Sequence, residues 1–349
     1  MNQDPASAGE GESAENGESA GEGKSAENGE SAENAEYVES QTHAVNEERP
    51  SRFLVHISDT HLVADDELLY ARVDSDANIA SVLDQLERAE FHPDAIVLTG
   101  DLADAGLPEA YVRLRSAIET TAERLGSRVI WVMGNHDSRD AFRVQLLDTE
   151  PGSAPVDAVH WIDGLRIIVL DTTVPGYHHG DLSDAQLSWL RAELAVTAPE
   201  GTLLAMHHPP MPDPVYAAAG IELRGQDRLA EVVRDSDVRC ILAGHLHFTT
   251  STTFAGIPLS VASATCYTNT VTESEGTSRG VNGAQSVNLV HLYRDQVVHT
   301  VMPVATYDTL YETNDDLMRL FNALTPAEQR TVLAMSNEER LAYAASLTE

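Results

Sequence analysis

The sequence predicts an α/β fold built from a pair of mixed sheets flanked by helices. Two patterns carry that expectation. Between residues 52 and 243, short apolar runs alternate with stretches whose apolar residues recur at helical spacing. From 248 to 302 the helical spacing stops, and one strand-like run follows another. The two ends depart from both patterns. The 349 residues therefore divide into an acidic tail over 1–50, a folded domain over 51–304 and a helical extension over 305–349.

The tail repeats Gly-Glu-Ser-Ala-Glu-Asn, as at 11–16 and 29–34. That unit has no core-forming residue, so the tail is expected to be disordered. Residues 52–58 (RFLVHIS) predict the first strand. Ile79, Val82, Leu83 and Leu86 then recur as one face of a helix within 74–90. Pro93-Asp94 breaks the chain before a second strand that runs from Ala95 into Gly100 and Asp101. Tyr111, Leu114, Ile118 and Leu125 mark a second helix, with Pro108 suited to its first turn. The third strand spans 128–133, and two more lie near 158–162 and 165–170. Ser183 and Gln186 form a capping box before Leu187, Leu190 and Leu194. A strand over 202–206, a helix near 226–234 and a strand over 240–243 follow. Strands are then expected at 249–254, 257–261, 287–293 and 297–301, with Gly-rich 276–284 as a loop. Thr325/Glu328 and Ser336/Glu339 are successive capping boxes, which predict a short helical hairpin at the end.

Charge narrows the function. The net charge is -34, and the first fifty residues carry thirteen Asp/Glu against two Lys/Arg. Such a surface repels nucleic-acid polymers and anionic membranes. No apolar run is long enough to span a bilayer and no signal peptide is visible, so a cytoplasmic protein is expected. Cys240 and Cys266 sit in or beside apolar runs and are expected to be buried free thiols.

Five strand ends carry metal-ligand residue types: Asp59 and His61, Asp101, Asn135 and His136, His207, and His245 and His247. Any one of these could be a simple turn. Together, each directly after a strand, they predict a metal centre. The mixture is too nitrogen-rich for calcium or magnesium and lacks the thiolates of a structural zinc site. It suits first-row divalent or trivalent ions. Asp101 is placed to bridge two of them. Two metals about 3.5–4 Å apart would hold a hydroxide nucleophile and clamp a phosphoryl group for in-line displacement.

In this order the motifs resemble the calcineurin-like metallophosphoesterases: Asp59-x-His61, Gly100-Asp101, Gly134-Asn135-His136-Asp137, His207 and Gly244-His245-x-His247. The longer phrases ISDTHL, LTGDLAD, VMGNHD, HHPP, AGHLH and VASATCYT are similar to class III cyclic-nucleotide phosphodiesterases. The resemblance spans about 59 to 247. It implies a four-layer α/β/β/α sandwich and two metal ions, Fe and Mn, with a Mn pair or Zn as alternatives. It implies Asp59, His61, Asp101 and His247 on one metal, and Asp101, Asn135, His207 and His245 on the other. His136 is then not a ligand but faces substrate, with Asp137 beside it to orient the ring. Its role is either general acid for the leaving oxygen or a cation stabilising the phosphoryl charge. Asp104 is expected to orient a ligand or a water, and His179 to reach the site from the loop over 174–181. The implied substrate is a small cyclic nucleotide, 3′,5′-cyclic AMP foremost and 2′,3′-cyclic nucleotides second, and the implied assembly a homodimer. The alternatives are another small phosphodiester, a phosphomonoester, or a non-catalytic scaffold. The last would be favoured by a missing ligand, and none is missing.

Overall fold

A computed structural model of the chain describes residues 49–65, 67–214, 220–274, 277–310, 313 and 315–347. In the first sheet, β1 (Arg52–Ile57), β2 (Ala95–Thr99) and β3 (Arg128–Val132) run parallel. Antiparallel β12 (Ser286–Leu292) and β13 (Val297–Pro303) extend it on the far side of β1, giving the order β13-β12-β1-β2-β3. The second sheet contains β4 (Ala158–Ile162), β5 (Leu165–Leu170), β6 (Thr202–Met206), β7 (Val238–Ala243), β8 (Thr250–Phe254) and β9 (Ile257–Val261). Its order is β4-β5-β6-β7-β9-β8, parallel in the middle and antiparallel at both edges.

The core explains why the strands read as unbroken apolar runs. Leu54, Val97 and Ile130 of the first sheet meet Ile167, Leu203 and Leu242 of the second in one buried layer. On the outer face of the first sheet, Val55, Ile57, Ile96 and Leu98 pack against helices Ser75–Arg88 and Pro108–Leu125. On the outer face of the second, Ile168, Leu170 and Leu204 pack against helices Asp184–Leu194 and Gln226–Val233. Both faces of the central strands are covered, so alternation with polar residues is lost there, while the edge strands β8 and β13 stay largely exposed. This is the four-layer α/β/β/α sandwich.

The local signals act as expected. Asp74 caps the first helix, Pro108 opens the second, and Ser183 with Gln186 forms a full capping box. A helix at Arg139–Leu146, capped by Ser138, was not anticipated. It buries only Phe142 and Leu146, too little to make a helical period visible. The Gly-rich loop is corrected in part: β11 (Gly280–Val281) lies inside it and pairs with β10 (Thr268–Asn269), which precedes it.

After β13 come helices Asp315–Asn322, Pro326–Ala334 and Asn337–Leu347. Thr325 and Glu328 cap reciprocally, as do Ser336 and Glu339. Pro50–Glu349 forms one compact unit, these helices included. The acidic tail lies outside the described residues except at its last two positions. No helix among the described residues is long and apolar enough to cross a membrane.

Candidate metal centre

The expected ligands all follow the C-terminal ends of parallel strands: β1, β2 and β3 in one sheet, β6 and β7 in the other. In open α/β sheets this edge is where sites form. The backbone there is unusual. Asp59, His61, Asp101, His245 and His247 all have positive φ, between 41° and 76°. Asp and His tolerate that region better than most residues, and such strain collects at functional sites. The turn after β7 also needs Gly244, because a Cβ there would lie 1.8 Å from Ser58 Oγ and 2.7 Å from Asp59 Oδ2.

Asp59, His61, Asp101 and His247 each bring a ligand atom to within 4.8 Å of the others, and all four are buried. His247 Nε2 faces Asp59 Oδ1 at 3.4 Å. Asp101 Oδ2 is shared: it lies 3.4 Å from His61 Nε2 and 3.3 Å from His207 Nε2. Around His207 Nε2, Asn135 Oδ1 and His245 Nδ1 each stand at 3.1 Å. The seven residues thus form two groups that meet at the Asp101 carboxylate.

The outer nitrogens of the four imidazoles decide which lone pairs point inward. His61 Nδ1 is bonded to Asp104 Oδ1 at 3.0 Å, and His207 Nδ1 to the Thr99 carbonyl at 2.7 Å. His247 Nδ1 is bonded to the Tyr267 carbonyl, and His245 Nε2 to the Ile221 carbonyl, both at 3.0 Å. A nitrogen facing such an acceptor carries the proton, so the inner nitrogen is left with a lone pair. Oxygen acceptors behind metal-bound histidines orient and tune them in this way. His61 Nε2 is buried without a hydrogen bond although it faces a carboxylate. A cation between the two satisfies both. Burial pushes Asp59 and Asp101 up, but positive charge facing them overrides it, here that of the imidazoles in their protonated form, where a bound cation would take over the role. His247 holds Asp59 at about 2, and His207 and His61 hold Asp101 well below the usual carboxylate range. Two buried carboxylates and convergent imidazole lone pairs make a dinuclear metal site.

The surrounding residues bring two corrections. Asp137 does not orient the His136 ring. Its carboxylate accepts from the backbone N–H groups of Leu102, Ala103 and Gly134 and from the Tyr111 hydroxyl. It fastens the turns after β2 and β3 to each other. His136 Nδ1 is instead bonded to the Asp104 carbonyl at 2.7 Å, and its backbone N–H donates to Asp101 Oδ1 at 2.8 Å. The second correction concerns the loop after β5. His178 Nδ1 lies 2.9 Å from Asn135 Nδ2, and the His178 ring stands 5.3 Å from that of His136. His179 lies against Tyr177 instead, with ring centroids 5.1 Å apart and the planes tilted by 56°. His208 sets this choice: its Nε2 is bonded to the His178 carbonyl and its Nδ1 to Thr172 Oγ1. With both nitrogens committed, His208 is no ligand, close as it lies to His207 and His245. Both cysteines are buried and unpaired, and Cys266 Sγ lies 3.8 Å from His247 Nδ1.

The family model of calcineurin-like phosphoesterases matches residues 54–248. The chain belongs to this family. Its relatives include a cAMP/cGMP dual specificity phosphodiesterase of Mycobacterium tuberculosis, 54% identical over 76% of this chain and 84% of that protein. A probable cyclic nucleotide phosphodiesterase of Rhodococcus erythropolis is 52% identical over 76% of this chain and 88% of that protein. Among solved structures, a dimetal phosphatase of Danio rerio covers 73% of this phosphoesterase and 97% of its own chain, with TM-score 0.52 and 18% identity. That likeness bears on the fold alone.

Proposed function

We propose that this phosphoesterase hydrolyses 3′,5′-cyclic nucleotides, cyclic AMP foremost, with 2′,3′-cyclic nucleotides as a second substrate. The observation that carries the reading is the convergence of four imidazole lone pairs on two buried carboxylates at adjoining strand ends. Identity of 54% to a cAMP/cGMP phosphodiesterase selects the substrate class. Asp59, His61, Asp101 and His247 would hold one ion, and Asp101, Asn135, His207 and His245 the other, with Asp101 shared between them. Fe and Mn fit the mixed nitrogen and oxygen donors. When bound, two such ions activate water and clamp the phosphoryl oxygens.

The chain's own residues do the rest. Asp104 holds His61 in its tautomer. His136, with its Nδ1–H donating to the Asp104 carbonyl, acts in its doubly protonated form, giving the Nε2 proton to the ribose oxygen as the P–O bond breaks. Water supplies the new P–O bond and the net proton, so the reaction balances. His178 braces the Asn135 side chain. We place the enzyme in the cytoplasm as a homodimer, to be checked by sedimentation. The deciding experiment is turnover of a panel with Mn added: 3′,5′- and 2′,3′-cyclic nucleotides, a glycerophosphodiester and a phosphomonoester, with metal content measured alongside. About two metals per chain and a preference for the cyclic nucleotides support the reading. A preference for the monoester, or a metal-free chain that stays inert with Mn, ends it.

A further inference from the structure

A cleft shares a wall with the metal cluster. Tyr70, Arg72, Tyr267, Asn269 and Asn282 help to line its volume of about 790 Å³. Tyr267 is the shared wall. Its ring centroid lies 4.4 Å from that of His247 and 6.2 Å from that of His61. Tyr70 meets the Tyr267 ring edge to face at 5.6 Å.

Tyr70 is held there by a turn that contributes little to the main core. It is 67% exposed, and both Tyr70 and Ala71 have positive φ, 51° and 54°. A bulky residue in that region is strained, and it persists only where the surroundings over-determine it. Leu69 and Val73 supply that constraint. They pair across the turn and are buried with Ala264 and Cys266 in a small cluster of their own. An exposed aromatic ring on a strained, anchored turn beside a metal centre is arranged for a ligand.

We propose that this cleft is the nucleobase subsite, in which the base of the cyclic nucleotide stacks on Tyr70 against the Tyr267 wall. The inference rests on the cyclic-nucleotide reading. Stacking is tolerant of base identity because every base has a π face, so the subsite accepts adenine and guanine alike. Arg72 has no ion-pair partner among the described residues, in a chain of 22 Lys/Arg against 56 Asp/Glu. Its planar guanidinium offers donors or a further stacking surface, and the Asn269 and Asn282 amides offer polar contacts to the base edge.

The test compares kcat and KM for 3′,5′-cyclic AMP, 3′,5′-cyclic GMP and ribose 3′,5′-cyclic phosphate without a base. Wild-type enzyme should prefer both nucleotides to the abasic compound in kcat/KM. Tyr70→Ala should lower that preference about tenfold, chiefly through KM. Tyr70→Phe, which keeps the ring, should restore it. A damaged metal centre would lower all three substrates together and leave the preference intact, and an intact preference in Tyr70→Ala overturns the subsite. Absence of cyclic nucleotide turnover in the wild type overturns the underlying reading instead, and the subsite falls with it.

Discussion

At the scale of single residues, His136 carries the sharpest prediction. Its Nδ1 is tied to the Asp104 carbonyl, so its chemistry must run through Nε2. If His136 is the general acid, His136→Ala should cost a cyclic nucleotide about 10²–10⁴-fold in kcat. An aryl phosphodiester should lose much less, since a phenolate leaves without a proton. Equal losses on both substrates, with both metals still bound, would assign His136 to charge stabilisation instead. The residue types of the centre were legible because each ligand directly follows a strand in a short motif. The residues behind them were less so. The sequence reading offered His179 from this loop, but which of its two histidines meets Asn135 turns on a loop backbone held by His208, thirty residues away in the chain. Asp137 was read as a neighbour of His136, yet its four donors come from turns after two strands and from helix Pro108–Leu125.

Elements bring these residues together, and β1 and the turn after β7 can be tested directly. Gly244→Ala would drive a methyl group into Ser58 and Asp59. A displacement of about 1 Å at a reacting centre can cost roughly 10²-fold, so kcat should fall at least that far. Metal analysis should show the loss of the ion assigned above to Asp59 while the fold, followed by far-UV circular dichroism, survives. Full activity in Gly244→Ala would mean that the turn relaxes freely. Within β1, His56 is wholly buried, with Nε2 bonded to Thr99 Oγ1 and Nδ1 unpaired. Burial and His299 lower its pKa from 6.5 to about 3. Between those values the unfolded chain takes up a proton that the folded chain refuses, so stability falls as pH drops through 6.5. His56→Gln should remove about 1 kcal/mol of the loss seen between pH 6 and 5. Urea denaturation of both proteins at the two pH values measures this, and the metal contribution, common to both, cancels. Parallel losses would show that His56 accepts a proton in place. Helix Arg139–Leu146 remained illegible because its two buried side chains make no period.

For the whole molecule, strand content could be read from the sequence but strand order could not. β12 lies against β1 although more than two hundred residues separate them, a pairing fixed by which apolar faces remain to be covered. Periodicity suggested a pair of mixed sheets flanked by helices, and the motifs implied the four-layer sandwich by name. The charge distribution allows one further expectation. The substrate is an anion, the chain carries -34, and residues 1–50 hold thirteen acidic and two basic side chains. At physiological ionic strength the Debye length is about 8 Å, so charges that do not border the cleft are screened from it. Deleting residues 1–50 should then leave kcat/KM for cyclic AMP within about twofold. At 0.01 M salt the screening length grows to about 30 Å and the tail's field reaches further. Full-length enzyme should bind the anionic substrate less well there, and its KM should fall as salt is added. The truncated enzyme should show a shallower dependence and a lower KM at the low-salt limit. Initial rates at both salt concentrations measure all four values. A tenfold loss of kcat/KM on truncation at physiological salt would show that the tail touches the active cleft and is more than a solvating extension.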